Sequence, residues 1–174
     1  PPFGGPVAGV AAGFEKLTTL PGYRPGGLVG LLTCDAPLAP RLYPALGRAY
    51  REATVQSLRD ANAEESGQPA QFIGGAVPVV REGAPRDVLS AGVERTDAHE
   101  TAKPATYSQY LHGVYVAGAL AQLFTTQVRD RSVRSLFKEL RLATVADVER
   151  IGIDVDTLED SAVLERRLAE FKEI

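Results

Sequence analysis

One cysteine, Cys34, is all the thiol this chain contains. No disulfide can form within it and no cysteine cage can hold a zinc ion, so the fold must rest on buried apolar surface. The 174 residues suffice for one core, with room for a short appendage but not for two full domains. Apolar residues at 44% and charged residues at 24% are the proportions of a globular chain rather than a disordered or fibrous one. A net charge of −3 supplies no general field towards nucleic acid or an anionic membrane. The longest nearly apolar stretch, Gly113 to Phe124, is 12 residues and includes Gln122. A membrane-spanning helix needs about 20, so no span is expected. The first residues, Pro1-Pro2-Phe3-Gly4-Gly5, carry no basic segment ahead of an apolar one. No secretory signal is therefore expected, and the reading is of a protein that is cytoplasmic or assembled in the cytoplasm.

Residues 1–27 are rich in proline and glycine and read as an extended, loop-rich arm with a turn or two of helix near Val7 to Phe14. Leu28 to Cys34 is a continuous apolar run between Gly26-Gly27 and Asp35-Ala36-Pro37, which predicts a strand buried on both faces. Leu38, Leu42, Leu46, Ala49 and Ala53 recur at helical spacing, predicting an amphipathic helix to about Ala63, well formed only after Pro40 and Pro44. Gln71 to Val80 predicts a second strand, with Gly74-Gly75 as a bulge and Pro78 pushing part of it towards a sheet edge. Strand, helix and strand predict a right-handed βαβ unit, so the fold class expected is α/β with a small parallel or mixed sheet. Arg86 to Glu94 predicts a short helix and Asp97 to Pro104 a polar loop.

The second half reads as helical. From Ala105 to Leu140 the residues Tyr107, Leu111, Val114, Ala117, Ala121 and Phe124 mark a core face, and Gly113, Ala117 and Ala121 form a ridge of small residues. Such a ridge lets a neighbouring helix approach closely. Val133, Phe137 and Leu140 continue the pattern on a further segment. Thr144 with Asp147, and Thr157 with Asp160, read as capping boxes, the second opening a final amphipathic helix that carries Leu164, Leu168 and Phe171 on one face. The domain reading is an arm at 1–27, an α/β core at 28–142 and a short helical appendage at 143–174.

Chemistry-bearing residues are few. Cys34 and Asp35 stand at the carboxyl end of the first strand, where open α/β sheets place ligands. Pro37 and Pro40 lack the amide donors that a phosphate-cradling thiol loop requires, which rejects phosphatase chemistry. His99, between Asp97 and Glu100, is a candidate general base, whereas His112 falls in the helical core pattern. Asp154, Asp156 and Asp160 have a faint calcium-loop spacing, but Leu158 and Glu159 replace the oxygen and the glycine such a loop needs, so a capped helix start is the reading. Arg129, Arg131, Arg134, Lys138 and Arg141 outnumber Asp130 and Glu139, a basic stretch ahead of an acidic tail. The glycine pairs fit neither a dinucleotide fingerprint nor a P-loop, and no cofactor is expected.

The expectation is a non-enzymatic structural subunit that assembles with copies of itself into a shell, a tube or a phage-like virion component. Gly113, Ala117, Ala121, Arg131, Arg134, Leu164, Leu168 and Phe171 are its candidate interface residues. Two alternatives remain open at this stage. One is a small α/β enzyme or ligand-binding domain using Cys34, Asp35 and His99. The other is a nucleic-acid-associated protein using the basic stretch at 129–141.

Overall fold

A computed structural model of the protein describes residues 5–62, 69–81, 106–125, 131–147, 151–152 and 154–170. The helix expected at 86–94, the loop at 97–104 with His99, Arg129 and Phe171 lie outside the described residues. The described chain forms a mixed five-stranded sheet with helices on both faces, the α/β class the sequence predicts. Among the described residues no helix is long and apolar enough to cross a membrane.

β2 (Gly75–Arg81) is a central strand that pairs with three others, along both of its edges. On one edge β5 (Leu142–Ala146) runs parallel to it, from Gly75↔Leu142 to Val79↔Ala146. On the other, β3 (Thr106–Ser108) and β4 (Val114–Val116) lie end to end, both antiparallel, in the registers Val79↔Ser108 and Gly75↔Tyr115. Between them Gln109 to Gly113 leave the ladder opposite Val77 and Pro78, and Tyr110–His112 coil into a single 3-10 turn. Pro78 explains the excursion. Its carbonyl accepts from the Gln109 amide at 2.9 Å, but it has no N–H to return on that side, so a regular partner strand cannot continue past it. The sequence places Pro78 near an edge; the structure places it in the centre, where the neighbouring strand gives way instead.

β1 (Leu28–Gly30) closes the other end of the sheet, antiparallel to β4. It runs in the same direction as β2, and α2 (Tyr43–Asn62) joins the two, so the βαβ unit exists with β4 inserted between its strands. β1 is not buried on both faces as its apolar run predicts, because it is an edge strand of three residues in which Leu28 and Gly30 are exposed. α2 follows the predicted spacing closely, burying Leu46 and half-burying Ala49 and Ala53, with Pro44 accommodated in its first turn.

The helical reading of 105–116 is corrected to strand, turn and strand. Side chains alternate between two cores: Ala76 and Val114 pack with Leu42 and Leu46 beneath α2, whereas Val77 and Tyr115 face the opposite layer. A strand buried on both faces shows an unbroken apolar run, which periodicity cannot separate from a buried helix. The small-residue ridge dissolves with it. Gly113 lies in the excursion, where a Cβ would stand 2.8 Å from the Tyr115 ring and from Val77. Ala117 and Ala121 belong to α3 (Ala117–Phe124) and face the chain's own core. Residues 5–18 form α1 (Gly5–Thr18), not an extended arm, and its Val7 and Phe14 are buried against α3. The expected appendage boundary falls inside the sheet, since Thr144 is a β5 residue; Asp147 after it holds a turn by accepting from the Ile151 and Gly152 amides, each at 2.8 Å. Only the second capping box forms. Thr157 and Asp160 bond reciprocally at the start of α5 (Leu158–Glu170), with the Asp160 amide donating to Thr157 Oγ1 at 3.1 Å and the Thr157 amide donating to Asp160 Oδ2 at 3.0 Å.

The larger core is aromatic. Phe137, at the end of α4 (Val133–Phe137), lies with its ring 5.1 Å from Tyr115 and 6.4 Å from Phe124, edge to face in both cases. Tyr115 is fully buried and its hydroxyl donates to the Tyr110 carbonyl at 2.5 Å, which anchors the excursion to the core. Phe137→Ala is expected to cost about 3–5 kcal/mol in urea unfolding. Phe72→Ala, at a ring 63% exposed, should stay within about 0.5 kcal/mol. Equal losses in the two variants would contradict this account of the core.

Candidate functional site

The excursion forced by Pro78 carries His112 into a cavity of about 550 Å³. Its wall includes Thr33 and Asp35 after β1, the turn Gln109 to His112, and Asp154, Asp156 and Thr157 around the start of α5, with Val133 and Arg134 of α4 beside them. The Val155 amide donates to the Asp35 carbonyl at 2.7 Å, which ties the segment after β1 to the approach to α5. The Asp147 turn supplies a floor, with the Gly152 carbonyl accepting from Gln109 Nε2 at 3.0 Å. Gly152 is required by close approach, because a Cβ there would lie 2.9 Å from Gln109 Oε1 and 3.2 Å from His112 Nδ1.

His112 is 4% exposed. Its Nε2 stands 2.8 Å from Thr33 Oγ1 and 3.6 Å from Asp154 Oδ1. Among the described residues neither His112 Nδ1 nor Gln109 Oε1 has a hydrogen-bond partner. Burial pushes the imidazole pKa below its ordinary value, opposed by the negative charge of Asp154, Asp35 and Asp147. Burial pushes the Asp154 carboxyl up, with His112 opposing and Asp35 and Asp156 reinforcing the rise. Around neutral pH the imidazole is therefore uncharged. With the proton on Nε2, facing the Asp154 carboxylate and the Thr33 hydroxyl, Nδ1 is left as an acceptor.

Of the residues singled out from sequence, the structure brings Asp35 to this cavity. Cys34 is exposed and lines an apolar groove instead. His112, read as a core residue of a helix, is the buried centre of the site. Thr33, Gln109 and Asp154 are brought to it by tertiary folding alone; the alternation of Asp154 and Asp156 is the one local signal that touched it. Among the described residues no three histidine, cysteine or carboxylate side chains gather closely enough to hold a metal ion.

Three described arginines of the basic stretch have separate surroundings. Arg131 donates to the Glu139 carboxylate at 2.6 Å and to the Ser135 carbonyl at 2.8 Å, Arg134 lines the cavity, and Arg141 hydrogen-bonds to Gln71. On α5, Leu164 is half-buried and Leu168 exposed.

A second concave surface, of about 850 Å³, runs between α1 and the segment Val29 to Asp35. Gly9 and Gly13 of α1 leave it open, and Val10, Leu17, Leu31 and Leu32 give it an apolar lining. It flanks the outer edge of β1. The amides of Leu31 and Ala117 donate across to Gly113 and Gly27, so residues 27, 29 and 31 point their backbone groups at β4. Leu28, Gly30 and Leu32 consequently aim theirs away from the sheet.

Comparison with family models, with curated proteins and with solved structures finds no match.

The buried imidazole sets a pH dependence. With its folded pKa below the ordinary 6.5, the unfolded chain binds the proton first as pH falls, so stability is intact above about 6.5 and declines below it. Thermal melts between roughly pH 7 and pH 5 should show a falling Tm in the native sequence and a smaller fall in His112→Asn. The same slope in both would show that His112 carries none of the effect.

Proposed function

We propose that the chain is a non-enzymatic assembly subunit that associates with copies of itself through the open edge of β1. The observation that carries this reading is the edge itself: Leu28 and Leu32 are 43% and 51% exposed, and the backbone donors and acceptors between them face outward. An exposed, apolar strand edge is a template for another strand. A copy related by a twofold axis through Gly30 sets Leu28 of one subunit opposite Leu32 of the other, a self-complementary contact. The groove beside α1 adds apolar surface to the same contact.

A further exposed apolar strip, Val55 and Leu58 on α2 with Phe72, supports growth beyond a dimer. A subunit with two distinct apolar surfaces can build a closed ring, a tube or a shell, whereas one with a single twofold contact stops at two copies. The groove beside α1 shares Thr33, Asp35 and Leu111 with the cavity around His112, whereas the strip on α2 shares none of its lining.

Light scattering on the size-exclusion peak tests the proposal. The native chain should run as a discrete multiple of 18.6 kDa, and Leu28→Lys with Leu32→Lys, which blunts the edge with charge, should run at lower mass. A native chain that stays at 18.6 kDa at every concentration would end it.

A further inference from the structure

Residues 31–36 lead from the association edge to the wall of the His112 cavity and form neither helix nor strand. Leu31 is fixed to the sheet, its amide donating to the Gly113 carbonyl at 2.9 Å and its carbonyl accepting from the Tyr43 hydroxyl at 2.6 Å. Between it and the buried Ala36 the described hydrogen bonds are Thr33 Oγ1 to His112 Nε2 at 2.8 Å and the Val155 amide to the Asp35 carbonyl at 2.7 Å. A segment with so few ties opens locally at small cost. The buried imidazole therefore helps to hold the Leu32 end of the edge. It accepts a further proton badly in this closed arrangement. With Nε2–H facing Thr33 and Asp154, the added proton goes to Nδ1, which is buried and has no hydrogen-bond partner among the described residues. A charge enclosed there without water is costly, and parting of the segment from the ring restores the water. Asp35, Asp147 and Asp154 favour the charged ring, but burial outweighs them. Asp156, Asp160, Arg134, Tyr107 and Tyr110 are the other ionisable groups along the cavity wall.

We propose that His112 is a pH-sensitive latch on the association edge: uncharged, it holds Thr33 and with it Leu32 in place, and protonated, it releases the segment 32–35 and weakens self-association. This rests on the reading of the β1 edge as the contact between copies. In a twofold pair Leu32 of each subunit faces Leu28 of the other, so loss of order at Leu32 removes both apolar ends of the contact. The sign follows from proton linkage. The open ring titrates near its ordinary 6.5 and the closed ring below that, so opening takes up a proton; closure is intact above about pH 6.5 and declines below it. From about pH 7.5 to about pH 5.5 that weakens closure by up to about tenfold in each subunit. Asp154 acts the other way, because burial raises its carboxyl pKa and closure then gains as pH falls. Loss of closure in mild acid is thus the signature of the imidazole.

Amide exchange in the whole chain tests the latch, with protection at the Val155 amide taken relative to that at Leu31 at the same pH, so that the intrinsic pH dependence of exchange cancels. In the native chain Val155 should lose protection by about tenfold between about pH 7.5 and 5.5, beginning near 6.5, and in His112→Asn and His112→Gln it should not. Light scattering over the same range should show the native mass falling and the mass of both variants unchanged. Val155 protection that is constant in the native chain, or lost equally in the variants, would overturn the latch. So would a native loss confined to the carboxylate range below about pH 4.5, whichever variants fold. Val155 opening beside a native mass that stays at the same multiple of 18.6 kDa would overturn its link to the edge. A native chain of 18.6 kDa at every pH would end the assembly reading instead, while the Val155 profile still decides the latch.

Discussion

A missing hydrogen-bond donor organises this molecule. Pro78 lies in a central strand that is paired on both edges, and it cannot donate towards the edge where β3 and β4 run. The partner strand responds by leaving the ladder for five residues, from Gln109 to Gly113, and rejoining it in a shifted register. A regular strand through this region would keep its residues in the sheet. The excursion instead turns His112 and Gln109 out of it, so the polar cavity exists because the ladder fails at Pro78. Tyr115, buried one turn of chain later, secures the detour by donating its hydroxyl to Tyr110.

The sheet carries a core on each face, and the period-2 alternation of β2 and β4 distributes side chains between them. Ala76 and Val114 go to the α2 side, Val77 and Tyr115 to the side of α1, α3 and α4. Close packing leaves no room for side chains at the points of nearest approach: a Cβ on Gly75 would stand 2.3 Å from the Val114 carbonyl oxygen. Helices cover both faces of the sheet, while Leu28 and Leu32 at the outer edge of β1 stand exposed, and that edge is where we propose association.

Local signals in the sequence located α2, the second strand and the Thr157–Asp160 cap, because each is decided within a few residues by spacing, by turn-formers or by side-chain capping. They failed at 105–116, where burial on both sides erases the period that separates strand from helix. They failed at β5 too, since Thr144 and Asp147 have cap spacing while the decisive interaction, parallel pairing with β2, comes from residues far away in sequence. The arm reading of residues 5–18 went wrong because proline and glycine weaken a helix locally without outweighing the burial of Val7 and Phe14. Asp35 was legible as a residue at the end of a strand, and it lines the cavity. His112 was not legible as a cavity residue, because the detour that places it answers to Pro78, more than thirty residues earlier.

The central claim is that the outward backbone groups of Leu28, Gly30 and Leu32 are satisfied by a second copy of the chain. Amide hydrogen exchange at these three positions, followed as protein concentration is raised, tests it most directly. The account expects protection that grows with concentration and is lost in Leu28→Lys with Leu32→Lys, while the inward amides of Val29 and Leu31 stay protected throughout. Fast exchange at Leu28, Gly30 and Leu32 at every concentration, beside a protected Val29 and Leu31, would contradict it.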